Sequence, residues 1–300
     1  MADYKPKNNN RKNMKLTGRR ESSNFEDRRG KGGKIAVGGG IGAIIIAALF
    51  TLLGGGNAGD VVQQVINTAQ QGGAQTENYT PTAQEEQFKT FALQILASTE
   101  DVWEKKFREV GLTYEPPKLV IFHGAVQSAC GNASSAMGPF YCSADKCVYL
   151  DLDFFNEMER SLGAKGDFAC AYVIAHEVGH HVQNLLGTLG KAHSQMSRQN
   201  EVDKNQTSVR IELQADYYAG IWGHGEQQMF GSIEAGDFEE AINAAQKIGD
   251  DYLQKRAQGT VSPESFTHGT SAQRMRWLKK GLQNGDLRGG DTWSVSYSSL

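Results

Sequence analysis

The chain has 300 residues and a mass of 32.8 kDa, with 39% hydrophobic and 22% charged residues and a formal net charge of −3. This composition excludes a collagen-like, a fully disordered or a multi-span membrane chain. The charge is unevenly divided: residues 1–34 hold 11 Lys and Arg against 4 Asp and Glu, a net +7, which leaves −10 on the other 266 residues. The part large enough to fold is therefore acidic and would be repelled by phosphate, so no nucleic-acid partner is expected.

Residues 1–34 carry few large apolar side chains and are expected to form a disordered basic cytoplasmic segment. Residues 35–53 (IAVGGGIGAIIIAALFTLL) run for 19 residues without a charge. At about 1.5 Å per residue such a stretch approaches the hydrocarbon thickness of about 30 Å. The triplet Gly38-Gly39-Gly40 would weaken a helix in water but is tolerated in lipid, so one transmembrane helix is expected at 35–56. A cleaved signal peptide fits less well, because the basic region is long and the apolar stretch exceeds about 15 residues. The positive flank then stays inside. This reading gives a single-pass protein of the inner membrane with its N-terminus cytoplasmic and its remaining domain periplasmic or otherwise extracytoplasmic.

Residues 57–84, rich in Gly, Gln, Asn and Thr, read as a flexible linker, with room for a short helix at 61–69. The folded domain is expected at 85–288 and a loose tail at 289–300. Phe88, Phe91, Ala92, Ile95, Leu96, Trp103, Phe107 and Val110 recur at helical spacing. Strands are predicted at 119–123, after Pro116-Pro117, and at 147–152. From Asp153 onward the pattern is helical, with breaks at 163–166, around 194–206, near Gly231 and at 260–263. A small sheet followed by helices is an α+β arrangement.

The sharpest motif is His176-Glu177-Val178-Gly179-His180. A helix turns about 100° per residue, so His176 and His180 stand one above the other and can grip one metal ion, while Glu177 lies to the side and can reach a metal-bound water. Phe168, Ala171, Tyr172, Ala175, Gly179, Val182 and Leu186 form an apolar stripe beside the histidines, and Asp167 is the expected N-cap. His181 points about 100° away from His180 and is assigned a structural role or one supporting a ligand from behind. Catalytic zinc takes three protein ligands and keeps a fourth position open. The third ligand is expected from 211–220 (IELQADYYAG), where Glu212, Ala215, Asp216 and Ala219 share one helical face. The alanines allow close approach, Glu212 can ligate, and Asp216 can accept a hydrogen bond from the far ring nitrogen of a ligand histidine.

HEVGHHVQ at 176–183 followed by ELQADYYAG at 212–220 resembles the bacterial neutral zinc metallopeptidase family, and the ExxAD pattern is similar to that of gluzincin peptidases. KLTGRRESSNFEDRRG, YLDLDFF and SFTHGTSAQR extend the resemblance over nearly the whole chain. It implies a zincin-like α+β domain, mostly helical with a small sheet, that binds one Zn2+ per chain and hydrolyses a peptide or protein substrate. The family roles fall on His176, His180 and Glu212 as ligands and on Glu177 as the catalytic base acting on a zinc-bound water. His268 lies in a segment similar to the downstream His-plus-Arg segment of gluzincins and is the expected donor to the tetrahedral oxyanion, with His224 and Tyr217 as rivals. His123 and His193 read as ordinary packed or surface residues. The resemblance also places 128–141 along the cleft, since zincins take substrate as a strand added at a sheet edge.

Cys130, Cys142, Cys147 and Cys170 all fall in the part assigned to an oxidising compartment. Four cysteines allow three pairings; Cys130 with Cys142 and Cys147 with Cys170 is the preferred set. The same ligands would serve another envelope zinc hydrolase, such as a cell-wall amidase, or a non-catalytic zinc-containing scaffold or chaperone. Oligomeric state is not legible.

Overall fold

The computed structural model describes residues 14–30, 79–234 and 236–300. Helix α1 (Ala83–Glu109) starts where Thr82 and Glu85 form a reciprocal capping box, and its ends carry the charges the helix dipole favours, Glu85 and Glu86 first, Lys106 and Arg108 last. It buries Leu93, Ile95, Leu96, Val102, Trp103 and Phe107. The expected helical spacing is thus realised, with Val110 left exposed beyond the helix end.

Four short strands follow the order β1-β2-β6-β5: β1 (Phe25–Asp27), β2 (Lys118–Phe122), β5 (Phe140–Cys142) and β6 (Cys147–Asp151). β1 and β6 flank β2 in parallel, and β5 runs antiparallel to β6. Between them β3 (Ala125–Ser128) and β4 (Gly131–Ser134) form a separate hairpin. The sheet is covered on both faces. Leu119, Ile121, Val148 and Leu150 enter the main core, while Val120, Phe122, Cys147 and Tyr149 enter a smaller cluster with Cys142. This alternation decides the cysteines. Cys130 and Cys142 form a disulfide as expected, with Cα atoms 5.8 Å apart. The second expected bond is absent: Cys147 faces the smaller cluster whereas Cys170 packs against the main core, and both are free thiols.

The remainder is helical: α2 (Asp153–Glu157), α3 (Asp167–Leu185), α4 (Thr188–Met196), α5 (Glu201–Phe230), α6 (Asp237–Lys247), α7 (Asp250–Gln258) and α8 (Ser271–Asn284). Helices α3 and α5 touch through backbone, since a Cβ on Gly179 would sit 2.9 Å from the Ala215 carbonyl oxygen. A Cβ on Gly281 of α8 would meet the Tyr217 carbonyl of α5. These contacts place α5 between the motif helix and α8. Asp167 is the first residue of α3 and not its N-cap, a position held by Gly166 at φ 109°. The Asp167 carboxylate instead accepts the Met14 backbone N–H at 2.8 Å.

That contact belongs to the largest departure from the sequence reading. Residues 14–30, expected to be disordered, are ordered on the domain: Met14, Leu16, Ser22 and Arg29 are buried and β1 joins the sheet. A segment so poor in apolar side chains cannot offset its ordering by hydrophobic burial alone; ladder hydrogen bonds and arginine–carboxylate pairs hold it. Arg29 is 2% exposed and pairs with Asp27 at 2.6 Å and Glu86 at 2.7 Å. Burial alone would raise the Asp27 pKa, but hydrogen bonds from Arg29 and Lys89 bring it down to about 2. With a folded pKa below the unfolded value of about 3.9, Asp27 adds stability that is complete above that pH and is lost as pH falls through about 2. Denaturation of the wild type and Asp27→Asn across pH should therefore show a stability gap near neutrality that narrows in acid; a gap as wide at pH 2 as at pH 7 would contradict this account.

The expected loose tail at 289–300 is likewise docked. Thr292 and Leu300 are buried, Arg210 donates to the Thr292 and Val295 carbonyls, and Gln214 donates to the Gly290 carbonyl at 2.8 Å. The expected span at 35–56, most of the linker and the short helix at 61–69 lie outside the described residues. Among the described residues no helix is long and apolar enough to cross a membrane.

Candidate metal centre

One turn of α3 brings His176 and His180 together with ring centroids 4.8 Å apart and planes at 87°. From α5, Glu212 places Oε2 3.1 Å from His176 Nε2 and Oε1 3.5 Å from His180 Nε2. Donors on a tetrahedral zinc with bonds of 2.0–2.1 Å are about 3.3 Å apart. The two imidazole nitrogens and the carboxylate oxygen lie within 4.8 Å of one another, so the donor set and its spacing fit such an ion.

The outer ring nitrogens are engaged as well. His180 Nδ1 meets Gln183 Oε1 at 2.9 Å, and the Gln183 amide donates to the Ile211 carbonyl at 2.7 Å and to Gln214 Oε1 at 3.1 Å. His176 Nδ1 lies 2.8 Å from Asp216 Oδ1, an ion-pair contact in which the ring is turned away from good hydrogen-bond alignment. Asp216 is held in turn. Arg274 from α8 grips it through Nε at 2.8 Å and Nη2 at 2.9 Å, and the Tyr172 hydroxyl donates to it at 2.6 Å. Asp216, Arg274 and Tyr172 are all buried.

Burial lowers the His180 pKa to about 4, which keeps this ring neutral and able to ligate. At His176 burial acts in the same sense, but the Asp216 and Glu212 carboxylates outweigh it and raise its pKa. Burial opposes the charge on Glu212, yet His180 and His176 hold its carboxyl well below the usual range. Burial and the neighbouring Glu212 push Glu177 up to about 7, against the opposing pull of His176. The backbone N–H of Tyr141 in β5 also acts to lower it.

His268 precedes α8 and is tied to Asp250 at the start of α7: Nδ1 lies 3.1 Å from Asp250 Oδ1, while Oδ2 accepts the N–H groups of Thr267, His268 and Gly269. Burial works against a charged ring here, but Asp250 overrides it and the His268 pKa rises, with Glu212 adding to the effect. The two rivals face elsewhere. His224 donates to the Leu282 carbonyl and Tyr217 to the Asp286 carbonyl, both toward α8 and its exit. His181 is structural as expected, bonded to the Tyr141 hydroxyl and the Glu115 carbonyl. His123 is half exposed beside Asp153.

Among the described residues two further groups of donors converge, His123 with Asp151 and Asp153, and Asp167 with Asp237 and Glu240. Neither joins two histidines. Asp151 already accepts the N–H groups of Gly124 and Asp153, and Asp167 that of Met14. The sequence reading gave no role to Gln183, Asp250 or Arg274, and placed Tyr172 only in the apolar stripe of the motif helix. Gln183 was accessible in principle, one turn beyond His180, whereas Arg274 reaches the site only through the packing of α8 on α5.

Fold and site together define a mixed α+β chain with a His2Glu donor set on two packed helices, a ligand combination used by catalytic zinc. A family model described as "Putative neutral zinc metallopeptidase" matches residues 8–293, and the chain belongs to this family. It is similar to the uncharacterized protein YpfJ of Escherichia coli (strain K12), 48% identical over 280 residues that cover 91% of this chain and 96% of YpfJ. It is also similar to the uncharacterized protein Rv2575 of Mycobacterium tuberculosis (strain ATCC 25618 / H37Rv), 42% identical over 193 residues covering 61% of this chain and 64% of Rv2575. No solved structure matches the chain.

Proposed function

We propose that the chain is a zinc-dependent metallopeptidase acting on peptide or protein substrates in the cell envelope, with His176, His180 and Glu212 as ligands of one zinc ion. The observation that carries this reading is the convergence of these three donors beside the buried Glu177 carboxylate. When bound, zinc polarises a carbonyl and acidifies a water molecule. Glu177 takes the proton from the attacking water and delivers it to the leaving amine. Asp216, clamped by Arg274 and Tyr172, fixes the His176 ring, and Gln183 fixes His180. His268, oriented by Asp250, donates to the developing oxyanion. β5 is an outer strand of the sheet and its Tyr141 N–H acts on the Glu177 carboxylate, so we place an extended substrate chain alongside it. The Cys130–Cys142 disulfide supports an oxidising compartment for the domain.

A peptide-library digest by the purified chain tests the reading. Cleavage should disappear on chelation and return with zinc; cleavage that survives complete metal removal, or no cleavage by zinc-loaded protein, would overturn it.

A further inference from the structure

The ordered segment 14–30 bears on how the chain can meet a membrane. β1 is in register with β2, pairing Phe25 with Leu119, Glu26 with Val120 and Asp27 with Ile121. The Leu119 N–H donates to the Asn24 carbonyl at 2.9 Å and the Arg28 N–H to the Ile121 carbonyl at 2.7 Å. Upstream, the Lys15 N–H donates to the Ser232 carbonyl at 2.8 Å and the Ser22 N–H to the Leu93 carbonyl at 3.0 Å. The segment thus touches α1, the sheet, the start of α3 and the chain just after α5.

Charge complementarity repeats the pattern. Arg19 pairs at 2.8 Å with Glu226, a carboxylate with no solvent exposure, and Arg20 pairs with Glu100 at 2.8 Å and Asp101 at 2.7 Å. Ser22 and Asn24 add hydrogen bonds to Glu100, and Arg29 reaches Glu86 on α1. Glu226 would be a costly buried anion without its arginine. Three arginines of the basic flank are therefore committed to carboxylates of the domain, and the +7 count is not that of a free cytoplasmic leash.

The two ends of the intervening stretch also meet. A Cβ on Gly30 would lie 3.0 Å from the Tyr79 Cβ, so Gly30 and Tyr79 sit side by side on the domain. Paired strands lie about 4.8 Å apart, whereas the two faces of a bilayer are separated by a hydrocarbon core of about 30 Å. A single crossing by the apolar residues 35–53 would put β1 and β2 on opposite faces, which their pairing forbids.

We infer that residues 14–30 and the domain that carries the metal centre occupy one compartment, on the same face of any bilayer the chain meets. This replaces the single-pass arrangement read from the charge pattern. It stands independently of the peptidase reading.

The test uses the full chain in intact cells, with Ser23→Cys and Gln258→Cys as separate reporters at exposed positions, labelled by a membrane-impermeant maleimide before and after permeabilisation. The parent chain gives the background from Cys147 and Cys170. The two reporters should show the same intact-to-permeabilised ratio, both reached or both protected. Labelling of one in intact cells with protection of the other would overturn the inference. Thr17→Cys, also exposed, repeats the measurement should Ser23→Cys disturb the fold.

Discussion

Replacing Glu177 with Gln is expected to lower peptide hydrolysis by about 10²–10⁴-fold, the usual contribution of a positioned general base, while the metal stays bound. Glu177 is not among the converging donors; it sits one residue beyond His176, where the Tyr141 N–H acts on its carboxylate. The amide has nearly the same shape and can keep that contact, so the fold and the His176, His180 and Glu212 donor set should be unaffected. What is lost is the ability to take and return a proton. The fall should appear in kcat and in kcat/KM alike, because the group acts on the transition state and not on substrate binding. Hydrolysis at the wild-type rate by zinc-loaded Glu177→Gln would remove Glu177 from the mechanism.

Asp216→Asn is expected to act on both metal affinity and stability. Removing a partner that orients a ligand histidine typically costs about 10–100-fold in metal affinity. Breaking a buried ion pair from one side costs about 3–5 kcal/mol, and Arg274, 3% exposed, would keep its charge without a counterion. Calorimetry or chemical denaturation of the metal-free chain isolates the second effect, and zinc titration against a competing chelator gives the first. A variant as stable as the wild type, with unchanged zinc affinity, would show that the Asp216 clamp is dispensable.

Local residue spacing made part of this legible. The His176–His180 pair, the Glu212–Asp216 face and the two central strands follow from helical and strand periodicity, and the structure keeps all of them within a residue or so. The N-terminal segment was misread because its stabilising partners, Glu226, Glu100 and Glu86, lie far along the sequence, and composition reports only the missing apolar side chains. The Cys147–Cys170 pairing failed for a related reason. Cys147 opens a central strand and Cys170 lies in the first turn of α3, but strand alternation turns Cys147 away from the main core that Cys170 packs against. Arg274 and Asp250 became visible only once α7 and α8 were packed on α5. The tail at 289–300 looked loose because its anchors are backbone carbonyls that receive Arg210 and Gln214, a kind of contact that leaves no trace in composition.

The central claim is that His176, His180 and Glu212 hold one zinc ion, and the zinc content of the purified wild type measured beside that of Glu212→Ala tests it most directly. Two imidazoles alone leave the three-ligand set of a catalytic zinc incomplete, so the wild type should carry one equivalent and the variant should lose it with its helical content intact. A Glu212→Ala chain that retains the wild-type zinc content, or a wild type that takes up none, would contradict the account.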